Sequence, residues 1–183
     1  MEKIKSFQIT GMTISGFKCY QEPTELAFGN PTIITGGNGR GKTSVADAIA
    51  FAVTGLPFFG ERGIDRLHNE ENPDVFISMR FVDDTGKPHE LVRVRQIGKM
   101  YISYDGGPVR QLDLKDLFGD PDVFLSIFNP LYFIEELGNE GKNLLEMYLP
   151  ELPPEKVLEQ LPPDLALALK DENLLSPQVY LKN

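Results

Sequence analysis

The sequence has no tryptophan, one cysteine and only two histidines among its 183 residues. The single cysteine, Cys19, excludes an internal disulfide and suits a reducing compartment, and we expect it to be a small buried side chain. His68 and His89 are too few to build a metal cluster. No stretch approaches 18 apolar residues, and the first residues do not form the apolar run of a signal peptide. These absences favour a cytoplasmic protein without a membrane span.

The charge balance is acidic, with 18 Lys and Arg against 27 Asp and Glu and a net charge of −9. This balance argues against a bare nucleic-acid-binding surface, because phosphate contacts need clustered Lys and Arg. The net charge does not exclude a local basic patch, or DNA contact through a partner protein. A chain of this length with 41% hydrophobic residues can bury one core, with a small appendage.

What the sequence does contain is a glycine-rich stretch at residues 36–43. It reads G-G-N-G-R-G-K-T and matches the phosphate-loop pattern G-x-x-x-x-G-K-[ST] at every fixed position. The β-branched residues 32–35 before it predict a short buried strand. Apolar residues after it recur at helical spacing as far as Gly55, which stands where a helix C-cap glycine is expected. Strand, glycine loop and helix are the context that this motif requires.

The residue types of this stretch suit a polyphosphate ligand. The backbone amides of residues 37–44 lie at a helix start, where N–H donors and the helix dipole favour anions. Lys42 is predicted to reach the β- and γ-phosphates as the catalytic residue, and the Thr43 hydroxyl to hold Mg²⁺. The expected nucleotide-binding residues of the loop are Gly36, Gly37, Asn38, Gly39, Arg40, Gly41, Lys42, Thr43 and Ser44.

Strand patterns lie on both sides of the phosphate loop. Alternating β-formers predict strands at 7–10, 12–17, 24–28, 75–82, 90–95 and 100–104, the last three joined as consecutive hairpins. Residues 56–74 are expected to be irregular with a short helical piece, and 111–149 helical. Beside a Pro-Gly turn, Asp120 and Asp122 are interpreted as helix caps rather than as a catalytic carboxylate pair.

Prolines change the character of the chain after residue 149. They separate short helical patterns at 155–161 and 164–169, without a heptad run. We therefore predict two domains, a nucleotide-binding lobe over 1–149 and a Pro-punctuated helical segment over 150–183.

Short segments around the phosphate loop occur in a distinctive order. Phe17-Lys18 precedes the loop, Asn38-Gly39 lies within it, and Asp47-Ala48-Ile49 follows it. In this order and spacing they resemble the N-terminal head segment of SMC/RecF-type ABC ATPases. The resemblance covers residues 5–135 and is strongest over 10–56. It implies an α/β P-loop NTPase fold, an ABC-ATPase head lobe with a mixed or antiparallel β-sheet around the Walker A helix.

The same resemblance implies roles for individual residues. Lys18 is similar to the family's basic residue near the nucleotide phosphates, although a solvated hairpin lysine is an equal alternative. Asn38 would orient the loop or donate to the γ-phosphate. Arg40 departs from the family, which often has Ser there, and is expected to face water. The family's Q-loop glutamine is missing from the 123–133 segment, where Asn129 is the nearest polar substitute and a candidate Mg²⁺ ligand.

The resemblance also indicates what this chain lacks. The family's signature loop, Asp-Glu-bearing Walker B strand and switch histidine are not recognisable after residue 56. In SMC-like proteins they lie in a C-terminal lobe, so the resemblance implies an N-terminal half. It would bind ATP and Mg²⁺, and pair with that lobe and with a second head as a homodimer. It would serve DNA repair, recombination or replication in a phage or bacterium, contacting DNA through the full assembly.

Two other functions stay open at this stage. One is an ATP-gated interaction module with little turnover, which the missing glutamine favours. The other is a small GTPase-like switch, because Asp83 and Gly86 form a D-x-x-G pattern after an apolar strand. The guanine-reading N-K-x-D motif is absent from the sequence, and a hairpin turn is the better interpretation of residues 83–86.

Overall fold

A computed structural model of the protein describes residues 3–61, 63–149 and 154–169. The chain divides into two compact units, residues 1–142 and 143–183. The first unit is built on one antiparallel sheet with the strand order β2-β1-β3-β4-β5-β6. Its strands are β1 (Phe7–Ser15), β2 (Thr24–Ala27), β3 (Val75–Asp83), β4 (Pro88–Gln96), β5 (Lys99–Tyr104) and β6 (Gly107–Pro108).

The strands follow the alternation in the sequence, with one change. The two strands predicted at 7–10 and 12–17 are a single strand, β1, because a bulge between Ile9 and Gly11 shifts the register without ending the pairing to β3. In β4 the core face carries His89, Leu91 and Arg93. A charged residue therefore lies on the buried side of the sheet.

Helix α1 (Lys42–Thr54) packs against this sheet and is buried along nearly its whole length. Its apolar residues join those of the strands in one core. The helix ends at Gly55, whose φ of 78° is left-handed and whose N–H donates to the Phe51 carbonyl at 2.9 Å. The predicted helix and its C-cap are confirmed.

The remaining helices follow the sheet in the chain. A 3₁₀ turn (Ile64–Leu67) lies in the 56–74 connection, and a π-helical turn spans Tyr132–Glu136. The α-helices are α2 (Gln111–Phe118), α3 (Pro121–Phe128), α4 (Asn139–Tyr148), α5 (Pro154–Leu158) and α6 (Pro163–Leu169). Asp120 caps α3 by accepting from the Asp122 N–H at 3.0 Å, as predicted. The end of the predicted 150–183 segment, residues 170–183, lies outside the described residues. No helix in the described ranges is apolar over a length that could cross a bilayer.

The buried strand predicted at residues 32–35 is wrong. The segment has no strand pairing, all four residues are exposed, and Ile33 is 82% exposed. Its β-branched residues need a neighbouring strand and a covering layer, and the described part of the chain provides neither for them. An apolar strand sequence is therefore left on the surface immediately before the glycine loop.

The D-x-x-G pattern is a hairpin turn between β3 and β4. The Oδ1 atom of Asp83 accepts from the Thr85 N–H, the Thr85 hydroxyl and the Lys87 N–H at 2.7–2.9 Å. Its Oδ2 atom lies 3.1 Å from His89 Nε2. Both oxygens of this carboxylate are engaged by residues of the turn and of β4, which agrees with the hairpin interpretation.

These contacts predict an acid-sensitive contribution to stability. Hydrogen bonds from Thr85, Lys87 and His89 hold the pKa of Asp83 well below its ordinary value. A depressed pKa contributes stability that is present above the unfolded-state pKa, near 4, and is lost as the pH falls below it. We expect Asp83→Asn to lower the urea midpoint at pH 7 and to have a clearly smaller effect at pH 2, because the contribution is lost progressively as the pH falls from the unfolded-state pKa towards the lower folded-state pKa. Asp84→Asn, which changes the exposed neighbour, is the matched control; equal effects of both variants at both pH values would contradict the assignment.

Candidate functional site

The glycine loop leads into the N-terminus of α1 with its amides open. The helix N-cap is Gly41, in a left-handed conformation with φ 86°, and no described side chain caps the first turn. The first turn also contains no acidic residue. Gly36 and Gly39 have positive φ as well, 155° and 75°. A helix start with uncapped N–H donors and no negative charge is suited to bind an anion.

Lys42 and Thr43 lie at the mouth of this helix. The Lys42 ammonium donates to the carbonyls of Gly36 and Gly37, both at 2.8 Å, and so bridges the two ends of the loop. The Thr43 side chain is exposed. An incoming phosphate would compete for the Lys42 ammonium and find the Thr43 hydroxyl accessible. The residues present therefore fit a Mg²⁺-bound polyphosphate.

The other predicted loop residues differ in where their side chains lie. Asn38 and Arg40 are exposed, and the Arg40 stem lies beside Gly36 and Gly37. Ser44 is buried, and its hydroxyl accepts from the Cys19 thiol at 3.8 Å, so its backbone amide rather than its hydroxyl is the group available to a ligand. The nucleotide-contacting roles of these residues stay predictions.

The hairpin loop at residues 16–20 packs against the first turn of α1. The Tyr20 hydroxyl donates to the Gly41 carbonyl at 3.4 Å, and burial raises the pKa of this phenol, which keeps the donor proton in place. A Cβ at Gly41 would lie 2.6 Å from Cys19 Sγ, so only glycine allows this approach. Cys19 is exposed, and the prediction that it is buried is wrong. Its position in a loop against a helix end leaves one side of it in solvent.

Lys18 is held in this loop by its backbone and by an ion pair. Its φ is 49°, its N–H donates to the Leu67 carbonyl at 2.8 Å, and its carbonyl accepts from Asn69 Nδ2 at 2.6 Å. Its ammonium pairs with Asp47 Oδ2. The Lys18 side chain is 32% exposed and that of Asp47 only 4%. Of the two alternatives for Lys18, a freely solvated lysine does not agree with this ion pair.

Asp47 connects this ion pair to the loop after α1. Its second oxygen, Oδ1, accepts from the Phe58 N–H at 3.0 Å. The Phe58 carbonyl in turn accepts from Asn129 Nδ2 at 3.1 Å. The sequence indicated Asp47 only as part of a motif and gave no sign of these partners, which are far away in the chain.

Asn129 is 2% exposed and lies at the C-terminal end of α3. Its side-chain oxygen accepts from the Leu131 N–H at 3.2 Å, and its amide holds the Phe58 carbonyl. A Mg²⁺ ligand at this position would have to give up the hydrogen bond to Leu131. The metal-binding role of Asn129 stays a prediction.

Comparisons with known proteins match this chain to a family and to a viral relative. Residues 12–129 match a family described as an AAA domain. The chain is 29% identical over 145 residues to uncharacterized protein 094L of Invertebrate iridescent virus 3, covering 74% of this chain and 16% of the viral protein.

Two solved structures resemble the fold of this chain. One is the recombination mediator protein RecF with ATP, with a TM-score of 0.54 at 16% identity, over 60% of this chain and 30% of that one. The other is an Smc head bound to the C-winged helix domain of ScpA, with a TM-score of 0.52 at 22% identity, over 60% and 39%. The chain thus spans well under half the length of each of these proteins.

Proposed function

This chain belongs to the AAA domain family, and from that membership we propose that it is the ATP-binding N-terminal half of an SMC/RecF-like ATPase head. Its fold is that of a P-loop ABC-ATPase head lobe, with an antiparallel sheet around the Walker A helix. The observation that carries the proposal is the open start of α1, where uncapped amides, Lys42 and the exposed Thr43 converge.

Each group has a defined part in ATP binding. The amides of residues 37–44 and the Lys42 ammonium would bind the phosphates, and the Thr43 hydroxyl would coordinate Mg²⁺. When bound, Mg²⁺ neutralises charge on the phosphate oxygens. Titration with Mg·ATP and Mg·GTP tests this proposal, with ATP binding expected. A clear preference for GTP would contradict it and support the GTPase-like alternative, which the use of Asp83 within its turn disfavours.

Hydrolysis would require parts that are not recognisable in this sequence. We propose that a C-terminal lobe supplies the Walker B strand and that a second head supplies the signature loop, so that ATP binding and head pairing are coupled. The resemblance to RecF and Smc heads supports service in DNA repair, recombination or replication. Residues 32–35 have the sequence of a strand but are exposed. They support the proposal that a C-terminal lobe binds, since a strand from that lobe would cover them.

A low-turnover, ATP-gated interaction module is the second candidate. The side chain of Asn129, the substitute for the Q-loop glutamine, is already engaged by Phe58 and Leu131. This favours weak hydrolysis. Comparing the ATPase rate of the chain alone with its rate after addition of a separately expressed C-terminal lobe distinguishes the two, because only the enzyme half is expected to be stimulated.

The exposed segment predicts where that lobe binds. We expect Ile33→Glu to abolish stimulation by the C-terminal lobe, because a carboxylate would be buried at the new strand pair. ATP affinity of the isolated chain should remain within about twofold, since this side chain points to solvent there.

Ile97→Glu is the matched control for this variant. Ile97 is 90% exposed and lies in the turn between β4 and β5, so the same change of charge there should leave stimulation intact. Full stimulation of Ile33→Glu would contradict a lobe interface at residues 32–35.

A further inference from the structure

The side chain of Asp47 connects three parts of the molecule, which are helix α1, the 16–20 loop and the loop after α1. It pairs with the ammonium of Lys18 from the 16–20 loop and accepts from Phe58 in the loop after the helix. It lies within α1 itself and is 4% exposed on its side chain. Both oxygens of this carboxylate are engaged, but its cation is partly exposed, so the ion pair can be separated at modest cost.

The loop that carries Lys18 lies beside the start of α1, but the Lys18 ammonium is paired with Asp47. Asp47 follows Thr43 by four positions, so the two side chains are neighbours on one face of α1, about 6 Å apart along the axis. The loop that carries Lys18 packs on that same first turn through Tyr20 and Cys19. The flexible four-carbon stem of a lysine can cover one helical turn.

We propose that Asp47 acts as a brake on nucleotide binding by holding Lys18 away from the phosphates. This inference rests on the proposed function, because it concerns the same phosphate site. A bound polyphosphate draws the Lys18 ammonium from Asp47 Oδ2, and part of the binding free energy is lost in breaking that ion pair. Asp47 is thus a positioning residue that acts through Lys18.

The hydrogen bond to Phe58 extends the effect to α3. When Lys18 leaves, the charge of Asp47 is shared only with the Phe58 N–H, whose own carbonyl is held by Asn129 at the end of α3. A charged acceptor strengthens that hydrogen bond. Occupancy of the phosphate site therefore changes the strength of the hydrogen bonds made by the 56–60 loop, including the one to Asn129 at the end of α3.

Asparagine at position 47 tests the brake with little change in shape. Its side-chain oxygen can still accept from the Phe58 N–H, while its neutral amide no longer holds the Lys18 ammonium. We expect Asp47→Asn to bind Mg·ATP about fivefold more tightly, the size expected from losing a partly exposed ion pair as competitor. A residue with a merely structural role would weaken binding when replaced, so the sign of the change is diagnostic.

Lys18→Met and the double variant Lys18→Met/Asp47→Asn complete a double-mutant cycle. Lys18→Met should weaken Mg·ATP binding by about fivefold, and in that background Asp47→Asn should change the affinity by less than about twofold. Hydrogen exchange of the Phe58 amide and thermal unfolding report whether each variant keeps its fold. The Phe58 amide should stay protected in Asp47→Asn and lose protection in Asp47→Ala.

The outcomes separate this inference from the proposed function. If the wild-type chain binds Mg·ATP but Asp47→Asn binds it equally or more weakly, or if the gain persists in the Lys18→Met background, the brake is overturned and the nucleotide site stands. If the wild-type chain does not bind Mg·ATP at all, the proposed function itself is overturned, and the brake with it.

Discussion

Replacing Lys42 with alanine is expected to weaken Mg·ATP binding by at least about 100-fold, which abolishes binding in an ordinary titration. The Lys42 ammonium combines a full charge with three donors at the start of α1, where the phosphates are expected to bind. It also joins the two ends of the loop through the carbonyls of Gly36 and Gly37. Isothermal titration of the purified variant with Mg·ATP measures the effect.

Two further variants separate charge from loop geometry. Lys42→Gln keeps a donor for the loop carbonyls but has no charge, and it should bind as poorly as the alanine variant if phosphate attraction is the cause. Lys99→Ala removes one positive charge at the exposed start of β5 and should bind normally. Unchanged affinity in Lys42→Ala would refute the assignment of the site.

The parts of this structure that depend on local pattern could be predicted from sequence. The glycine spacing of the loop fixed the start of α1, because only residues tolerant of positive φ fit at positions such as Gly39 and Gly41. The strands β3, β4 and β5 follow simple alternation between short turns. The Asp83 turn was also predicted, because its side chain bonds to amides only two and four residues ahead.

The parts of the structure that depend on partners distant in the chain could not be predicted from the sequence. Residues 32–35 have the composition of a buried strand, but a strand is completed by a neighbour, and none is paired with them in the described residues. The partnership of Lys18 with Asp47 joins two elements that are remote in the chain. Alternation along β4 places Leu91 and Arg93 on one face of the strand, but it gives no reason to expect a charge within the core.

That buried charge makes Arg93 a position where we expect a large loss of stability on substitution. Arg93 is 2% exposed, and its guanidinium donates to the Ala52 carbonyl from Nε at 3.2 Å and from Nη2 at 3.0 Å. Nη2 also donates to Gln111 Oε1 at 2.6 Å, and the group lies 5.2 Å from the centre of the Phe51 ring. Burial lowers the pKa of Arg93 to about 10, so it remains protonated at neutral pH. A cation at the C-terminal end of α1 is favoured by the helix dipole.

Arg93→Met fills much of the same volume but leaves the Ala52 carbonyl and Gln111 Oε1 without their donor. Buried polar groups left unpaired cost about 1–3 kcal/mol each, so we expect a loss of about 3 kcal/mol in the free energy of unfolding. For a chain of this size that corresponds to a fall in Tm of about 6–12 °C. Urea and thermal denaturation measure both quantities.

The double variant Arg93→Met/Gln111→Leu decides which physical effect dominates. If unpaired acceptors cause the loss, removing Gln111 Oε1 together with its donor should cost less than the sum of the two single variants. The opposing effect is the desolvation of the guanidinium, which lowers its pKa and which methionine would relieve. A single Arg93→Met variant within about 0.5 kcal/mol of wild type would mean that this relief cancels the lost hydrogen bonds. Because Arg93 and Gln111 cap the end of α1 opposite the phosphate loop, Mg·ATP affinity measured well below Tm should stay unchanged in both variants.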